Sequence, residues 1–173
     1  MTVETVIVLA AGEGTRMKSA KAKVLHSVAG RSLLGHVLHA VDHLKAKHVC
    51  IVVGSGRELV EEHISLIAPK ASTVFQEHRG GTGHAAQLAL AGLSPKGTVL
   101  VLAGDTPMLT GESLAAFIDA HNAGKFAASV LTAEHPDPTG YGRIIRDDAD
   151  ELLKIVEEKD ATDDQRFIFE INS

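Results

Sequence analysis

Short apolar runs alternate along this chain with segments in which apolar residues recur every three or four positions. The clearest helical segment is Ser32–Leu44, which places its leucines and valines on one face, and the clearest strand is Thr98–Ala103. Such alternation is typical of βα units and predicts a parallel sheet covered by helices on both faces. The further predicted strands are Thr5–Ala11, His48–Val53, Thr73–Gln76 and Ala127–Ala133, and the further predicted helices are Gly56–Ile67, Thr82–Leu93 and Gly111–Asn122.

The pattern changes after Pro136. Tyr141–Arg146 and Glu151–Val156 flank a polar turn and predict a β-hairpin. The sequence ends on Glu170–Asn172, which we predict to be a strand with an open edge, a rare ending for a natural domain. The prediction is an α/β fold with a Rossmann-like mixed, mostly parallel sheet. We expect one domain over residues 1–173 whose C-terminal part is missing.

Composition limits the classes of function. The chain has 173 residues, of which 45% are hydrophobic, 23% charged and 3% aromatic, and its net charge is −5. These values predict a packed globular domain and argue against a nucleic-acid partner, which usually meets a basic surface. No apolar run approaches the ~20 residues that span a bilayer and no signal-type segment begins the chain, so we expect a cytoplasmic protein without a membrane span. The single cysteine, Cys50, is predicted to be a buried small hydrophobe.

A glycine-rich turn followed by cations ends the first predicted strand. Gly12 and Gly14 stand after the strand, with Arg16 and Lys23 close behind. Glycines let backbone N–H groups converge and nearby cations add positive charge, so this turn is a candidate anion site. Asp105 follows another predicted strand, and open α/β sheets bind their ligands at this carboxyl edge.

Two common phosphate-binding motifs are absent from the turn. A P-loop requires G-x-x-x-x-G-K-[ST], which does not follow the first strand, and a dinucleotide motif requires a third glycine where Met17 stands. The second strand runs into Gly54 rather than into the acidic residue that would bind a ribose. A nicotinamide-dependent oxidoreductase is therefore disfavoured.

The residues that remain suit chemistry at a nucleoside triphosphate, which depends on in-line positioning and on neutralisation of phosphate charge. Arg16 could fork onto two phosphate oxygens, while Lys23 would act as a point charge. Asp105 could hold Mg²⁺, which prefers carboxylate, phosphate and water oxygens. The alternative for Asp105 is a turn residue before Pro107, and the dipeptide Gly104-Asp105 alone favours neither interpretation.

Several strings together resemble a known family. The string L-A-A-G-E-G-T-R-M at Leu9–Met17, with K-V-L-H downstream, resembles the sugar-1-phosphate nucleotidyltransferases. Further strings, in order over nearly the whole chain, resemble the uridyltransferase domains of the bacterial bifunctional N-acetylglucosamine-1-phosphate uridyltransferases / glucosamine-1-phosphate acetyltransferases. They are Gln76, Gly81-Thr82-Gly83-His84-Ala85, Gly104-Asp105-Thr106-Pro107, Asp137-Pro138-Thr139-Gly140-Tyr141-Gly142-Arg143-Ile144, Ile155-Val156-Glu157, Lys159-Asp160-Ala161-Thr162 and Glu170-Ile171-Asn172.

The resemblance implies a reaction and a set of site residues. UTP and N-acetylglucosamine 1-phosphate would give UDP-N-acetylglucosamine, a precursor of the cell wall, and pyrophosphate, with Mg²⁺ bound by Asp105 and without a covalent enzyme intermediate. Arg16 and Lys23 would stabilise charge on the triphosphate. By the same resemblance, Leu9, Ala10, Ala11, Gly12 and Gly14 would lie by the uridine and its phosphates, Gln76, Gly81 and Thr82 would recognise uracil, Ala103 and Gly104 would border the ribose, and Gly140, Glu157 and Asn172 would hold the N-acetylglucosamine.

The sequence departs from the family at several positions. Ala22 stands where the family usually has proline, Arg79 replaces a glutamine, and Ala103 replaces a tyrosine. The chain also stops before the asparagine that completes the family's metal site. The β-helix acetyltransferase domain, through which the family forms trimers, lies beyond that point as well. His84 has two interpretations, a residue that orients the loop at the uracil pocket or a structural histidine.

Two other functions stay open at this point. One is a related transferase that uses another base or another phosphorylated alcohol, because the glycine turn alone does not separate these enzymes. The other is nucleotide-sugar binding without turnover, which the missing C-terminal part makes possible for this chain. Nucleotide preference distinguishes the first alternative, and pyrophosphate release distinguishes the second.

Overall fold

The chain folds into two compact units, Met1–Lys125 and Phe126–Ser173. A computed structural model describes residues 3–12, 14, 17–78, 80–93 and 95–172. The first unit contains β1 (Val3–Ala10), a 3₁₀ turn (Lys23–Leu25), β2 (Ser27–Val28), β3 (Arg31–Ser32), α1 (Leu33–Asp42), β4 (His48–Val53), α2 (Arg57–Ile67), β5 (Ser72–Phe75), α3 (Gly81–Ala91), β6 (Thr98–Ala103) and α4 (Gly111–Gly124). The second contains β7 (Thr132–Glu134), β8 (Arg143–Arg146), β9 (Leu152–Val156), a 3₁₀ turn (Glu158–Asp160), α5 (Asp163–Arg166) and β10 (Glu170–Asn172).

A parallel sheet forms the centre of the first unit. Its strand order is β5-β4-β1-β6, and β1 pairs in parallel with β4 on one side and with β6 on the other. Each predicted strand from the first to Thr98–Ala103 is present within a residue or two, which confirms the mostly parallel sheet of the sequence prediction. Because these strands run parallel, their carboxyl ends lie at one edge, where ligands of such sheets bind.

Helices cover both faces of this sheet, as the alternation of elements predicts. Val6 and Val8 of β1 point to one face, where they pack with residues of α1, α2 and α4. Ile7 points to the other face and packs with Cys50 and with Ala85 of α3. Cys50 is 1% exposed, which confirms the prediction of a buried small hydrophobe, and its burial raises the pKa of the thiol. The central strands β1 and β4 are largely buried on both sides, so they read as continuous apolar runs.

The second unit is built on an antiparallel sheet with the order β7-β10-β8-β9. β8 and β9 form the predicted hairpin, in which Ile144 lies opposite Ile155. β10 lies between β7 and β8, so the open edge predicted for Glu170–Asn172 is wrong. The sequence shows that this segment favours an extended chain, but pairing with strands far away along the chain depends on the tertiary fold.

The predicted strand Ala127–Ala133 is also largely wrong. Only Thr132–Glu134 forms a strand, and residues 127–131 form neither helix nor strand. α4 ends at Gly124, its C-cap Lys125 adopts a left-handed conformation, and Val130 in the following segment is 36% exposed. Apolar composition predicted a buried strand here, but among the described strands β6 stays at the edge of the parallel sheet and none pairs with this segment.

Candidate active site

The ends of β1 and β6 are joined just beyond the last residues that pair in the sheet. Leu9 pairs with Ala103, and the N–H of Gly104 donates to the carbonyl oxygen of Leu9 at 2.8 Å. A Cβ atom on Gly104 would lie 2.9 Å from the same oxygen, so the position requires glycine. This contact fixes where Asp105 leaves the sheet relative to the glycine turn.

Lys23 and Asp105, both predicted from the sequence, form an ion pair. The Nζ atom of Lys23 contacts Oδ2 of Asp105, and the two side chains are 33% and 26% exposed. Lys23 begins a 3₁₀ turn whose other residues, Val24 and Leu25, are buried, so the core holds the base of the lysine side chain. The backbone of Lys23 is therefore anchored in the core, while the charged ends of Lys23 and Asp105 lie together and remain partly open to solvent.

The glycine turn packs directly on Lys23. Gly14 has φ +63°, and a Cβ atom there would lie 2.6 Å from Cβ of Lys23. The carbonyl oxygen of Gly14 accepts a hydrogen bond from the N–H of Met17 at 2.8 Å. Gly12, in contrast, is exposed, and no atom of the described residues beyond its chain neighbours lies within 4 Å of such a Cβ. Of the two glycines, Gly14 is the one whose missing side chain places the lysine.

The other predicted residues of this turn differ in exposure. Leu9 and Ala11 are partly buried, and Ala10 is 2% exposed with its side chain in the core, which leaves its backbone as the part that can meet a ligand. Ala103 is partly buried at the end of β6. Arg16 and the departure Arg79 lie outside the described residues, so the role predicted for Arg16 stays a prediction.

Gln76 links the end of β5 to the start of α3. Its backbone N–H donates to the carbonyl oxygen of Val53 at 2.9 Å, and the residue is 7% exposed. Its side-chain Nε2 lies 3.1 Å from the carbonyl oxygen of Gly81 and 3.2 Å from Nδ1 of His84. Gly81 has φ +85°, and both it and Thr82 are exposed at the first turn of α3. The three residues predicted to recognise uracil thus occupy one corner of the first unit.

Gly140, Glu157 and Asn172 belong to the second unit, where strand register relates them. Arg143 lies opposite Val156 of β9 and opposite Ile171 of β10. Because both pairs are antiparallel, the residues just before Arg143 and those just after its two partners meet at one edge of this sheet. The N–H of Asn172 donates to the carbonyl oxygen of Gly142 at 3.2 Å, and Gly140 has φ +85°. Glu157, at the same edge, is exposed.

The sequence prediction missed Arg143 and Glu158, which support this edge. Arg143 is 1% exposed, and its Nη2 lies 2.7 Å from Oε2 of Glu158. The same oxygen accepts the N–H of Gly140 at 3.2 Å. The Gly140 N–H, and after it the Arg143 guanidinium, lowers the pKa of the Glu158 carboxyl. An arginine at the start of an apolar strand indicates a buried charge that needs a carboxylate partner. From the sequence, however, either Glu157 or Glu158 could be that partner.

The donor set suits one type of metal site better than others. Among the described residues, no three His, Cys, Asp or Glu side chains are grouped so as to hold a metal ion. Asp105 offers one partly exposed carboxylate. Mg²⁺ fits such a site, because it commonly binds through one or two carboxylates together with substrate phosphates and waters.

No helix in the described part of the chain is long and apolar enough to cross a membrane.

Comparison with known proteins shows the family and the fold of the chain. The sequence is 53% identical over 173 residues to the Bifunctional protein GlmU of Thermobifida fusca and 53% identical over 171 residues to that of Streptomyces coelicolor, and each match covers 97% of this chain. The chain spans 36% of the length of both relatives. The structure of a UDP-glucose pyrophosphorylase complexed with UDP-glucose superposes with a TM-score of 0.76 at 16% identity, over 99% of this chain and 74% of that one, which shows a shared fold. The family model of the MobA-like NTP transferase domain matches residues 6–168, and the chain therefore belongs to this family.

Proposed function

We propose that this chain transfers UMP from UTP to N-acetylglucosamine 1-phosphate, giving UDP-N-acetylglucosamine and pyrophosphate. The observation that carries the proposal is the contact between Lys23 and Asp105 beside the glycine turn, at the carboxyl edge of the parallel sheet. A cation and a carboxylate at this edge can serve a magnesium-bound triphosphate, because one meets phosphate oxygens and the other meets the metal. The two relatives named GlmU, whose sequences are 53% identical to this chain, support the choice of this reaction.

In the proposed reaction, a phosphate oxygen of the sugar phosphate attacks the α-phosphorus of UTP. The bond from the α-phosphorus to the bridging oxygen breaks, and pyrophosphate leaves with the electron pair. Lys23 and Arg16 hold the triphosphate in line and neutralise its charge. No residue has to take or give a proton, because the nucleophile is already an anion and the leaving group leaves as one.

We assign the metal to Asp105. Mg²⁺ bound there would supply a counter-charge for the phosphate oxygens at the reacting phosphorus. In the free protein, Lys23 forms an ion pair with the Asp105 carboxylate. Its flexible side chain lets the ammonium turn to a phosphate oxygen when a triphosphate binds. The ion pair keeps both charges compensated in the free protein.

We assign base recognition to the corner formed by Gln76, Gly81 and Thr82, the ribose to Ala103 and Gly104, and the uridine phosphates to the backbone of Leu9–Gly12 and Gly14. In the second unit we assign the sugar to Gly140, Glu157 and Asn172. The support is their exposure or their strand-end positions, together with the resemblance of the motifs that contain them.

We extend the proposal to a longer parent protein that would contain this chain. We take residues 1–173 as part of a nucleotidyltransferase domain, and we expect a longer parent protein to acetylate glucosamine 1-phosphate with acetyl-CoA in a trimeric β-helix domain. Location in the cytoplasm and a role in cell-wall synthesis stay predictions.

Pyrophosphate release tests the proposal. With Mg²⁺ and N-acetylglucosamine 1-phosphate, we expect release from UTP well above that from CTP or GTP, and no release without the sugar phosphate. Preference for another nucleotide would contradict the assignment of uridine. Selective stabilisation by UTP without release would instead indicate binding without turnover; a ligand at a hundredfold excess over its Kd raises the free energy of unfolding by about 2.7 kcal/mol.

Two adjacent glutamates give a matched test of the sugar site. Glu157→Gln alters an exposed side chain, so we expect a higher KM for the sugar phosphate with an unchanged melting temperature. Glu158→Gln removes the carboxylate beside the buried Arg143, so we expect a lower melting temperature. The assignment of Glu157 is wrong if its substitution leaves the KM for the sugar phosphate unchanged.

A further inference from the structure

The side-chain amide of Gln76 has its nitrogen end fixed by two acceptors. The carbonyl oxygen of Gly81 can only accept a hydrogen bond, so the atom 3.1 Å from it must be the amide nitrogen Nε2. The same nitrogen lies 3.2 Å from Nδ1 of His84. Its two hydrogens therefore go to Gly81 and to His84. Since Nδ1 of His84 accepts, the imidazole carries its proton on Nε2.

His84 is held in place independently of Gln76. It lies in the first turn of α3, next to Ala85, which is 3% exposed and packs on the sheet. A Cβ atom on Gly80 would lie 2.7 Å from Cγ of His84 and 2.8 Å from its Nδ1, so the imidazole rests against the bare Cα of Gly80. The histidine thus approaches Gln76 from a fixed direction. Its accepting Nδ1 would repel the Oε1 atom of Gln76 if the amide were turned round.

This arrangement leaves the carbonyl oxygen of Gln76 as the end of the amide that can meet a base. A carbonyl oxygen accepts a hydrogen bond from the N3–H of uracil, whereas N3 of cytosine is itself an acceptor. We propose that His84 is a positioning residue for base selectivity: by accepting from Nε2 of Gln76, it locks the amide so that Oε1 faces the base and uracil is preferred to cytosine. This inference rests on the proposed function, because it concerns the base site assigned there.

The size of the effect follows from one hydrogen bond. If the acceptor at position 84 is lost, only the bond to Gly81 opposes rotation of the amide, and turning the NH₂ group toward an acceptor on the base then costs one hydrogen bond fewer than in the wild type. A hydrogen bond of this kind contributes about a factor of ten to an equilibrium. We therefore expect the ratio of affinities for UTP and CTP to fall about tenfold, while affinity for the phosphates changes little.

Two substitutions separate positioning from packing. His84→Leu keeps apolar bulk against Gly80 but has no acceptor, and His84→Asn offers an amide oxygen near the position of Nδ1. We expect His84→Leu to lose about tenfold in the ratio of Kd values for CTP and UTP, and His84→Asn to keep that ratio within about threefold. Gln87→Ala, at an exposed position on the same helix, serves as the control and should leave the ratio unchanged.

The outcomes distinguish the inference from the proposed function. If the wild-type chain binds CTP as well as UTP, the proposed function fails and the inference fails with it. If the wild type prefers UTP and His84→Leu keeps the full preference, the inference alone is overturned. Nitrogen-15 NMR of the wild-type chain tests it without any variant, since we expect His84 to be protonated on Nε2 and not on Nδ1. A proton on Nδ1 in the neutral ring would overturn the proposal even if His84→Leu did not fold.

Discussion

Substitution of Gly14 by alanine gives the sharpest test of how the glycine turn places Lys23, the proposed triphosphate-binding cation. The new Cβ atom would lie 2.6 Å from Cβ of Lys23, and the backbone would keep φ near +63°. A non-glycine residue in this left-handed region costs about 1–2 kcal/mol, and a forced contact costs about 1–3 kcal/mol. Because the turn can yield in part, we expect the free energy of unfolding to fall by about 2 kcal/mol, which leaves a domain of ordinary stability folded.

The same contact predicts a loss of activity. Relief of the contact to an ordinary distance moves Lys23 by roughly 1 Å, and a misplacement of this size can cost about a hundredfold in rate. Urea unfolding measures the first effect, and pyrophosphate release from UTP measures the second. Gly12→Ala is the matched control for stability, because in the part of the chain that the structure describes no atom beyond its chain neighbours lies within 4 Å of its Cβ, and its φ is not in the left-handed region. It should change the free energy of unfolding by less than about 0.5 kcal/mol.

A double variant separates the atoms that cause the loss of stability from the atom that causes the loss of turnover. In a Lys23→Ala background, Gly14→Ala should still destabilise the fold, because alanine retains the Cβ atom that is contacted. It should cause no further loss of turnover, because the ammonium is already gone. The reasoning is refuted if Gly14→Ala unfolds at the same urea concentration as Gly12→Ala.

Three further predictions concern the metal ligand, the lysine loop and the second unit. Asp105→Asn should abolish the part of the UTP-induced melting shift that depends on Mg²⁺, and an unchanged Mg²⁺ dependence would contradict the metal assignment. Ala22→Pro should raise the free energy of unfolding by about 0.4–1 kcal/mol in urea unfolding and keep or improve turnover, because φ is −53° at Ala22 and proline restricts the unfolded chain; a marked loss of turnover in a folded variant would refute it. Hydrogen bonds from Arg146, and after it from Thr132, lower the pKa of Glu170 from 4.5 to about 2, so its contribution to stability is complete above about pH 4.5 and is lost as the pH falls toward 2. Urea unfolding at pH 5, 4 and 3 should show a steeper loss in the wild type than in Glu170→Gln, and equal slopes would refute the role of this carboxylate.

Local pattern was sufficient wherever a segment's environment is uniform along its length. His48–Val53 is a strand with the predicted bounds, because its last four residues are buried in the sheet and its apolar run records that burial. Thr98–Ala103 also has the predicted bounds, although it is the edge strand of this sheet and Val101 is exposed. Ser32, the first residue of the predicted helix, is the N-cap of α1, since its hydroxyl oxygen accepts the N–H of Gly35 at 2.9 Å, a contact between near neighbours in sequence. Ala127–Ala133 has a similar composition, but among the described strands none pairs with residues 127–131, and there the same reasoning fails.

The candidate site divides in the same way. The sequence by itself determined which residue types are present for the proposed chemistry, and its motifs predict Lys23, Asp105, Gln76 and Gly140 as site residues. The tertiary structure decided which of them touch: the ammonium of Lys23 meets Asp105 because β1 and β6 are neighbours in the sheet, an arrangement that no local pattern encodes.

Tertiary structure also decided the roles of residues whose neighbours come from distant segments. Glu157 and Glu158 are equivalent by composition, yet the register of β8 against β9 leaves one exposed and pairs the other with buried Arg143. The acceptor role of His84 likewise follows from its distance to Gln76. Periodicity and propensity act between residues a few positions apart and can be read from the sequence, whereas ion pairs and hydrogen bonds between separate elements depend on distances of a few ångströms that only the packed chain sets.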